Sequence, residues 1–315
     1  MKKATLIQDE NALWLKGNLH CHSTGSDGAL SPEMLVRGFA DKGYDFLAIT
    51  DHDVFRSYDE LSNAKLSNEG LLLIPGMELT GAVTEDKNGH FCVLQKGETG
   101  DFEQGETFLV DTRDKLIDFL KKHHENYLIT LNHPYWSLLE WEEVIDLPHL
   151  TALEIYNHAT QIGTFVGEAA HFWNTMLRKG KPMWGIAADD NHNKLKQIPG
   201  WPFDCAISDI FGGWVCVKAK ERTKAAIMEA LEMGSFYAST GPEIYDFYIE
   251  GEEFYVSCSP CRQIIVSGDR GYFKRNLGFG VTEFRGRLNG KEKFIRVQCA
   301  DEAGGVAYSN PIYID

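Results

Sequence analysis

Two histidines stand one residue apart near the start of the sequence, at His20 and His22 in the stretch GNLHCHSTGSDG. In an extended strand, residues i and i+2 point to the same side, so both imidazoles can hold one metal ion while Cys21 points the other way. Asp190 and His192 repeat this spacing in AADDNH. Imidazole and carboxylate together suit zinc, manganese or iron, and a carboxylate can bridge two ions. The two pairs therefore predict a metal site.

Residues of the same types adjoin other apolar segments, which are predicted strands. These strands are Leu13–Leu19, Phe46–Thr50, Leu71–Met77, His90–Leu94, Tyr127–Leu131, Ala152–Tyr156, Met183–Ala188 and Trp214–Lys218. The polar residues that follow strands are Asp51, His52, Asp53, Glu78, His133 and Asn157, while His90 begins one. Parallel strands collect their carboxyl ends at one edge of a sheet or one mouth of a barrel, where α/β proteins build their sites. Their shared position predicts one joint site.

The elements that position this site alternate between strand and helix patterns up to about residue 240. Ser31, Pro32 and Glu33 predict a helix start, and Leu116 to Leu120 carry the apolar stripe of another helix. Such alternation is typical of a mainly parallel sheet, open or closed into a barrel. Residues 241–315 instead contain short runs of period two, which predict a small antiparallel β-sandwich as an accessory domain after the first domain, 1–240.

The charge balance and the cysteines restrict the possible partners and compartment. Lys and Arg total 31 against 46 Asp and Glu, a net charge of −15, which disfavours membrane surfaces and long nucleic acids because both bind basic patches. We expect no signal peptide and no membrane span, which needs roughly 20 apolar residues. The seven cysteines are scattered apart from Cys258 and Cys261, which predicts reduced thiols in a cytoplasmic protein.

The segments NLHCHSTGSDG, AITDHD, PGMELT, LNHP and AADDNH resemble, in this order, the motifs of the PHP family of metal-dependent phosphoesterases, named for polymerase and histidinol phosphatase. The resemblance covers about residues 14–240. It implies a distorted (β/α)7 TIM-like barrel, followed here by the C-terminal β-sandwich. It also implies two or three bound divalent metal ions, for which Mn, Zn and Fe all fit.

The resemblance further implies a role for each matching residue. The implied ligands are His20, His22 and Asp190 for the first ion, His90 and His133 for the second, and Asp27, His52 and His192 for the third. Glu78 would bridge the first and second ions, and Asp27 replaces a histidine found in some relatives. We expect Asp51, Asp53 and Asp189 to orient ligand histidines rather than to bind metal.

The implied reaction is hydrolysis of a phosphoester by a hydroxide that bridges two metal ions, with Glu78 and Asp190 as catalytic ligands. Arg56, four residues after His52, is the candidate cation for the phosphoryl oxygens. The tryptophans that adjoin site segments, and could form walls of a substrate pocket, are Trp136, Trp184 and Trp201. The acidic charge favours a small phosphorylated metabolite or nucleotide as substrate.

Two other functions stay open on the sequence alone. One is a metallohydrolase of another bond, such as an amide, because similar barrels carry out both reactions in amidohydrolase-like enzymes. The other is a binding protein with a structural metal site. The predicted accessory domain, residues 241–315, carries no motif that assigns a role. It could cover the barrel or mediate assembly into a homo-oligomer.

Overall fold

The computed structural model of this chain describes residues 4–5, 12–62, 70–194 and 208–314. Its helices are α1 Pro32–Asp41, α2 Asp59–Ser62, α3 Arg113–His123, α4 Trp141–Val144, α5 His158–Thr164, α6 Ala170–Arg178 and α7 Lys224–Glu232. Its strands are β1 Ala4–Thr5, β2 Leu13–Asn18, β3 Phe46–Ala48, β4 Leu72–Ile74, β5 Gly76–Ala82, β6 Asn88–Gln95, β7 Tyr127–Leu131, β8 Ala152–Asn157, β9 Trp184–Ala188, β10 Trp214–Ala219, β11 Phe236–Ser239, β12 Ile244–Glu250, β13 Glu253–Gly268, β14 Gly271–Arg287, β15 Phe294–Ala300, β16 Val306–Ser309 and β17 Ile312–Tyr313. Within these residues, no helix is long and apolar enough to cross a membrane.

The described strands form two sheets. The larger sheet has the order β1-β12-β13-β15-β16-β11-β10-β2-β3-β4, with β14 paired to β13 and β17 paired to β15. The smaller sheet has the order β5-β6-β7-β8-β9. Among the strands that the structure describes, the parallel ladders are β2–β3, β3–β4, β7–β8 and β8–β9. Up to residue 240, the prediction of a mainly parallel sheet is correct for these pairs and wrong for β2–β10, β10–β11, β5–β6 and β6–β7, which are antiparallel. After residue 240, the predicted antiparallel pairing is found.

Each of the eight predicted strands up to residue 240 overlaps a strand of the structure. The segment predicted as Leu71–Met77 is two strands, because Pro75 lies between the end of β4 and the start of β5. Proline has no N–H to donate and ends the ladder there. After Pro75 the chain enters the smaller sheet, where β5 pairs antiparallel with β6. The sequence pattern did not reveal this change of sheet and direction.

The α/β fold is confirmed, but neither a TIM-like barrel nor a separate β-sandwich is confirmed. Among the described residues, hydrogen-bonded ladders do not join the two sheets into a closed ring. Isolated bridges connect them instead, from Cys21 to Asn191 and from His52 to Glu78. The C-terminal strands β12 to β17 continue the larger sheet through the pairing of β16 with β11. The domain boundary at residue 240 stays a prediction.

Hydrophobic packing holds the strands behind the predicted site. The strands of the smaller sheet and the helices packed against them share one hydrophobic cluster, which includes the fully buried Trp173 of α6. The C-terminal strands have a core of their own, which includes Ile264 and Val297. Helix α1 begins as predicted, with Ser31 Oγ accepting a hydrogen bond from the Met34 N–H at 3.4 Å.

Candidate metal centre

A buried carboxylate, Glu78 in β5, lies at the centre of the predicted site. Glu78 is fully buried, and its oxygens lie 3.1 to 3.3 Å from imidazole nitrogens of five histidines. The distances are 3.1 Å for His20, 3.2 Å for His22, 3.1 Å for His52, 3.3 Å for His90 and 3.2 Å for His133. Motifs spread over more than a hundred residues of sequence thus converge on one side chain.

The two pairs with one-residue spacing closely follow two strands: His20 and His22 follow β2, and Asp190 and His192 follow β9. A bridge between Cys21 and Asn191 aligns these segments, and the Asp190 N–H donates to the His20 carbonyl at 2.9 Å. The Nε2 atoms of His20 and His22 lie 3.2 Å apart and within 3.2 Å of the same Asp190 oxygen. Cys21 points away into an apolar cluster. The expectation that both members of each pair share one side is confirmed for His20 and His22.

His90 reaches the site because β6 runs opposite to its neighbours. The register pairs His90 with Thr80 near the end of β5, and Phe91 with Leu131 at the end of β7. The first residues of an antiparallel strand lie beside the last residues of its partners. A histidine at the start of a strand can therefore join ligands that follow other strands, such as His133.

Asp27, His52 and His192 form the outer part of the cluster. Asp27 Oδ1 lies 3.2 Å from His192 Nε2 and 3.6 Å from His52 Nε2. The loop that carries Asp27 is tight, and a Cβ at Gly28 would lie 2.3 Å from the His22 carbonyl oxygen. Glycine at this position therefore allows the close approach of the two backbone segments.

The described side chains form three overlapping sets that could each hold a metal ion. Each member of a set provides one potential ligand atom, and the atoms of a set all lie within 4.8 Å of one another. The sets are His20, His22, Glu78 and Asp190; His22, Asp27, His52 and His192; and His52, Glu78 and His90. His133 is in none of these sets, although its Nε2 lies 3.7 Å from Asp190 Oδ2. Every predicted ligand thus lies close to at least one other, and the assignment of each to a particular ion stays a prediction.

The donor set fits bound cations. His20 Nδ1 lies 2.9 Å from Glu154 Oε1, so its proton belongs on Nδ1 and its Nε2 presents a lone pair to Glu78 and Asp190. Lone pairs and carboxylate oxygens facing one another at about 3 Å repel unless a positive charge lies between them. A divalent ion, or protons in its absence, provides that charge.

The pKa shifts in the cluster agree with this arrangement: those of buried histidines are raised and that of Glu78 is lowered. Burial lowers the pKa of His22, but Asp190 and Glu78 outweigh it and raise the pKa to about 9. Burial raises the pKa of Glu78, but the surrounding histidines, His20 foremost, hold it well below its usual range. Without metal, protons therefore stay on the imidazoles, and a metal ion must displace them in order to bind.

Glu154 in β8 is a functional residue that the sequence analysis missed. This fully buried carboxylate accepts from the His133 N–H at 2.9 Å and from Asn157 Nδ2 at 2.8 Å, in addition to its contact with His20. It fixes the ring and tautomer of His20, as carboxylates behind metal-ligating histidines commonly do. Asn157 also donates to Asp190 Oδ2 at 3.0 Å and caps α5 by accepting from the Thr160 N–H.

The three aspartates expected to orient histidines have other contacts in the described structure. Asp51 accepts from the backbone and hydroxyl of Ser23 at 2.8 Å, and Asp53 accepts from the Thr80 N–H at 2.6 Å. Asp189 accepts from the backbone N–H groups of residues 211 to 213. These carboxylates stabilise the loops that carry the ligands, and the carboxylate behind His20 is Glu154.

A cavity of about 320 Å³ opens onto the cluster. Besides predicted ligands, it is lined by Trp136, whose ring lies 5.0 Å from that of His133, and by Lys194, whose Nζ lies 2.6 Å from Asp27 Oδ2. Lys194 is a cation that the sequence analysis did not consider. Arg56 does not line the cavity in the described part of the chain, where its backbone pairs with Gly76. Its role as the phosphate-binding cation stays a prediction.

The other two tryptophans predicted to form walls of the pocket are Trp184 and Trp201. Trp184 packs 6.4 Å from the ring of Tyr313 and donates its indole N–H to the Glu232 carbonyl, so it does not line this cavity. Trp201 lies outside the described residues. Of the two candidates within the described residues, Trp136 is the one that adjoins the cluster.

Comparison with known proteins agrees with this geometry. Residues 18–142 match the PHP domain family. A 5'-3' exoribonuclease of Haemophilus influenzae is 45% identical over 65 residues, which cover 21% of this chain and 23% of the relative. The 5'-3' exoribonuclease Rnm of Escherichia coli is 42% identical over 81 residues, which cover 24% and 26% respectively. The matches thus span about a quarter of the length of these curated relatives.

The overall fold has a solved counterpart. A two-domain protein from Bacteroides vulgatus, described as containing a predicted PHP-like metal-dependent phosphoesterase, aligns over 99% of both chains with a TM-score of 0.54 and 18% sequence identity. This likeness concerns the fold. The segment that matches the PHP domain family, residues 18–142, carries seven of the nine predicted ligands, and Asp190 and His192 lie beyond it.

Proposed function

We propose that this protein is a metal-dependent phosphoesterase that hydrolyses a small phosphorylated metabolite or nucleotide. The observation that carries the proposal is the Glu78 carboxylate, which has five imidazoles within 3.3 Å and adjoins an open cavity. Hydrolases of the PHP family are metal-dependent, and this donor set of imidazole and carboxylate groups suits Mn, Zn or Fe. We propose two or three ions at this site.

Bound divalent ions would lower the pKa of a water molecule towards neutrality and neutralise charge on the phosphoryl oxygens. The chain's own residues then hold the reactants. Glu78 and Asp190 provide the negative charge that keeps cations close together, and Glu154 keeps His20 in the ligating tautomer. Trp136 forms part of the cavity wall beside His90 and His133.

A cation beside the ions would bind the phosphoryl oxygens that do not react. Lys194 is placed for this role, because it lines the cavity and its ammonium group pairs with Asp27 at the outer edge of the cluster. Its side chain is more than half exposed and can reorient towards a substrate. Arg56 remains the candidate that the sequence suggested.

The size of the cavity supports a small substrate. A volume of about 320 Å³ is at the low end of the range for small-molecule sites. A nucleotide as the phosphorylated group is supported by the names of the relatives, which include exoribonucleases and DNA polymerases. The net charge of −15 disfavours a long polynucleotide.

We further propose that the strands up to residue 240 are arranged as a distorted seven-stranded barrel. Two isolated bridges at the site end, from Cys21 to Asn191 and from His52 to Glu78, support this arrangement because they connect the two sheets. Close packing of β9 against β10 and β11 supports it as well. Residues 241–315 would then be an all-β accessory domain.

The test measures phosphate release from a panel of phosphomonoesters and nucleotides, and release of the aryl alcohol from a generic aryl phosphodiester. The protein is stripped of metal, reloaded with Mn, Zn or Fe, and compared with a His20→Ala variant treated in the same way. We expect release that depends on added metal and is lost in the variant. Metal binding without hydrolysis of any compound, seen neither as phosphate nor as aryl alcohol, would contradict the proposal and favour hydrolysis of another bond or a binding role.

A further inference from the structure

A second cavity, of about 310 Å³, lies between the C-terminal strands and helix α6. Its lining residues are Asn174, Gln263, Ile265, Ser267, Arg275, Arg296 and Gln298. None of them belongs to the metal cluster. Six of the seven carry a polar side chain, two carry guanidinium groups, and none is acidic.

Strand alternation explains why these residues share one face. The register pairs Ser267 with Arg296, and Ile265 with both Gln298 and Arg275. Residues that are two apart on β13 and β15 point to the same side of the sheet. The intervening residues, Ile264, Val266, Ile295, Val297 and Cys299, point to the other side and form the core of the C-terminal strands.

Arg296 is the unusual member of this face. It is only 4% exposed, and neither its Nε nor its Nη1 has a hydrogen-bond partner among the described residues. Its guanidinium carbon lies 4.8 Å from the centre of the Trp173 ring on α6, a cation–π contact that involves no hydrogen bond. No described carboxylate lies within ion-pair distance. A buried charge without a partner is costly, so its presence in the wall of a cavity calls for an explanation.

The surroundings of Arg296 offer further donors. Ser267 Oγ is also buried without a hydrogen-bond partner, and Arg275 lines the exposed side of the same cavity. Gln263, Gln298 and Asn174 add amide groups. Residues 262–293 contain eight Lys and Arg but only three Asp and Glu, so this region is basic within an acidic chain.

We propose that this cavity binds a small molecule through an anionic phosphate or carboxylate group, with Arg296 as the buried anchor. The planar guanidinium presents two parallel N–H groups that match two oxygens of either anion. Such a pair in a site shielded from water is stronger than a surface ion pair. The volume of the cavity accommodates a small metabolite. The site is separate from the metal cluster, and its test does not depend on catalytic activity.

The test is calorimetric titration of the full chain with inorganic phosphate and with acetate, in chelator and at low salt. A His20→Ala background weakens anion binding at the metal cluster. In this background we compare Arg296→Met with Arg262→Met, which changes an exposed arginine of β13 that does not line the cavity. We expect binding of at least one probe that Arg296→Met weakens by about tenfold or more and Arg262→Met leaves unchanged. The stronger probe identifies the anionic group.

Equal binding by the Arg296→Met and Arg262→Met proteins, or no binding of either probe to the parent, would overturn the proposal. Replacement of a buried charge by an apolar side chain of similar length is commonly tolerated, so Arg296→Met is expected to fold. If it does not, Ser267→Ala serves instead, and we expect a several-fold weaker affinity from the loss of its hydroxyl. Unchanged affinity in that variant would refute the assignment.

Discussion

Replacing Glu154 with glutamine tests whether the carboxylate behind His20 controls metal binding. Glu154 accepts hydrogen bonds from three buried donors, which are His20 Nδ1, the His133 N–H and Asn157 Nδ2, at 2.8 to 2.9 Å. A glutamine has one oxygen and one NH2 group. In one orientation the NH2 group faces the His133 N–H and Asn157 Nδ2, and in the other it faces His20 Nδ1, which then loses its acceptor unless the His20 proton leaves Nδ1. A buried unpaired donor costs about 1–3 kcal/mol.

The same change affects metal affinity by a separate route. Without the carboxylate, the proton of His20 is no longer held on Nδ1, and its Nε2 no longer presents a fixed lone pair to the site. Loss of such a supporting partner typically weakens metal binding about 10- to 100-fold. This factor corresponds to about 1.4 to 2.8 kcal/mol. The Glu154→Gln protein should therefore lose both folding stability without metal and affinity for metal.

The assay is competition for Zn or Mn between the stripped protein and a chromophoric chelator, together with denaturant unfolding in excess chelator. Glu292→Gln is the matched control, because Glu292 is also buried and accepts backbone N–H groups from Asn289 and Lys291, but lies outside the cluster. We expect the control to lose stability and keep its metal affinity. Unchanged affinity in Glu154→Gln, or an equal loss in both variants, would refute the role of Glu154.

Three further predictions concern the same site. Glu78→Gln should abolish metal-dependent turnover and reduce the number of bound ions in elemental analysis, whereas the exposed Glu85→Gln should behave as the parent; full activity in Glu78→Gln would disprove the central role of Glu78. Lys194→Ala should raise KM for phosphorylated substrates about tenfold with little change in kcat if Lys194 binds the substrate phosphate equally in the ground and transition states, and an unchanged KM for every substrate would assign that role elsewhere. Without metal, the pKa of His22 is raised from 6.5 to about 9. Protonated His22 therefore contributes at most roughly 3 kcal/mol to the free energy of unfolding, and this contribution is complete below pH 6.5 and lost as the pH rises through 9. Metal affinity increases over the same pH range, because a metal ion must displace the protons. Thermal unfolding in chelator and proton release measured in calorimetry check both signs, and a stability that rises with pH in chelator would contradict this assignment.

The clustering of these side chains could be predicted from the sequence because their spacing and strand positions carry the information. His20 and His22 share a side through the two-residue period of a strand, and Glu78 and His133 follow apolar segments that are strands in the structure. Glu154 could not be found in this way. It lies in the middle of a strand in which every residue is buried, so the pattern does not show which side chains point to the site. Its partner His20 is 134 residues away.

The directions of the strands were also beyond the sequence pattern. An apolar run is the same whether the strand pairs in parallel or antiparallel, and only the register shows that β6 is reversed. That reversal explains why His90, at the start of a strand, lies near His133, which follows one. Arg296 was hidden for a similar reason, since FIRVQC has the period of an ordinary strand and the pattern does not show what faces its polar side.

Net charge bears on binding of long polyanions, but it does not show which small ligand each cavity binds, because charges of opposite sign are separated in the structure. Carboxylates such as Glu78 and Asp190 are concentrated where cations would be held, so an acidic chain can still bind an anionic phosphate once ions occupy the site. At the second cavity no acid lines the wall, and Arg296 is buried without an ionic partner among the described residues. The field at each cavity is set by the residues that line it and by any ions bound there, so the two proposed anion sites are compatible with a whole-chain charge of −15.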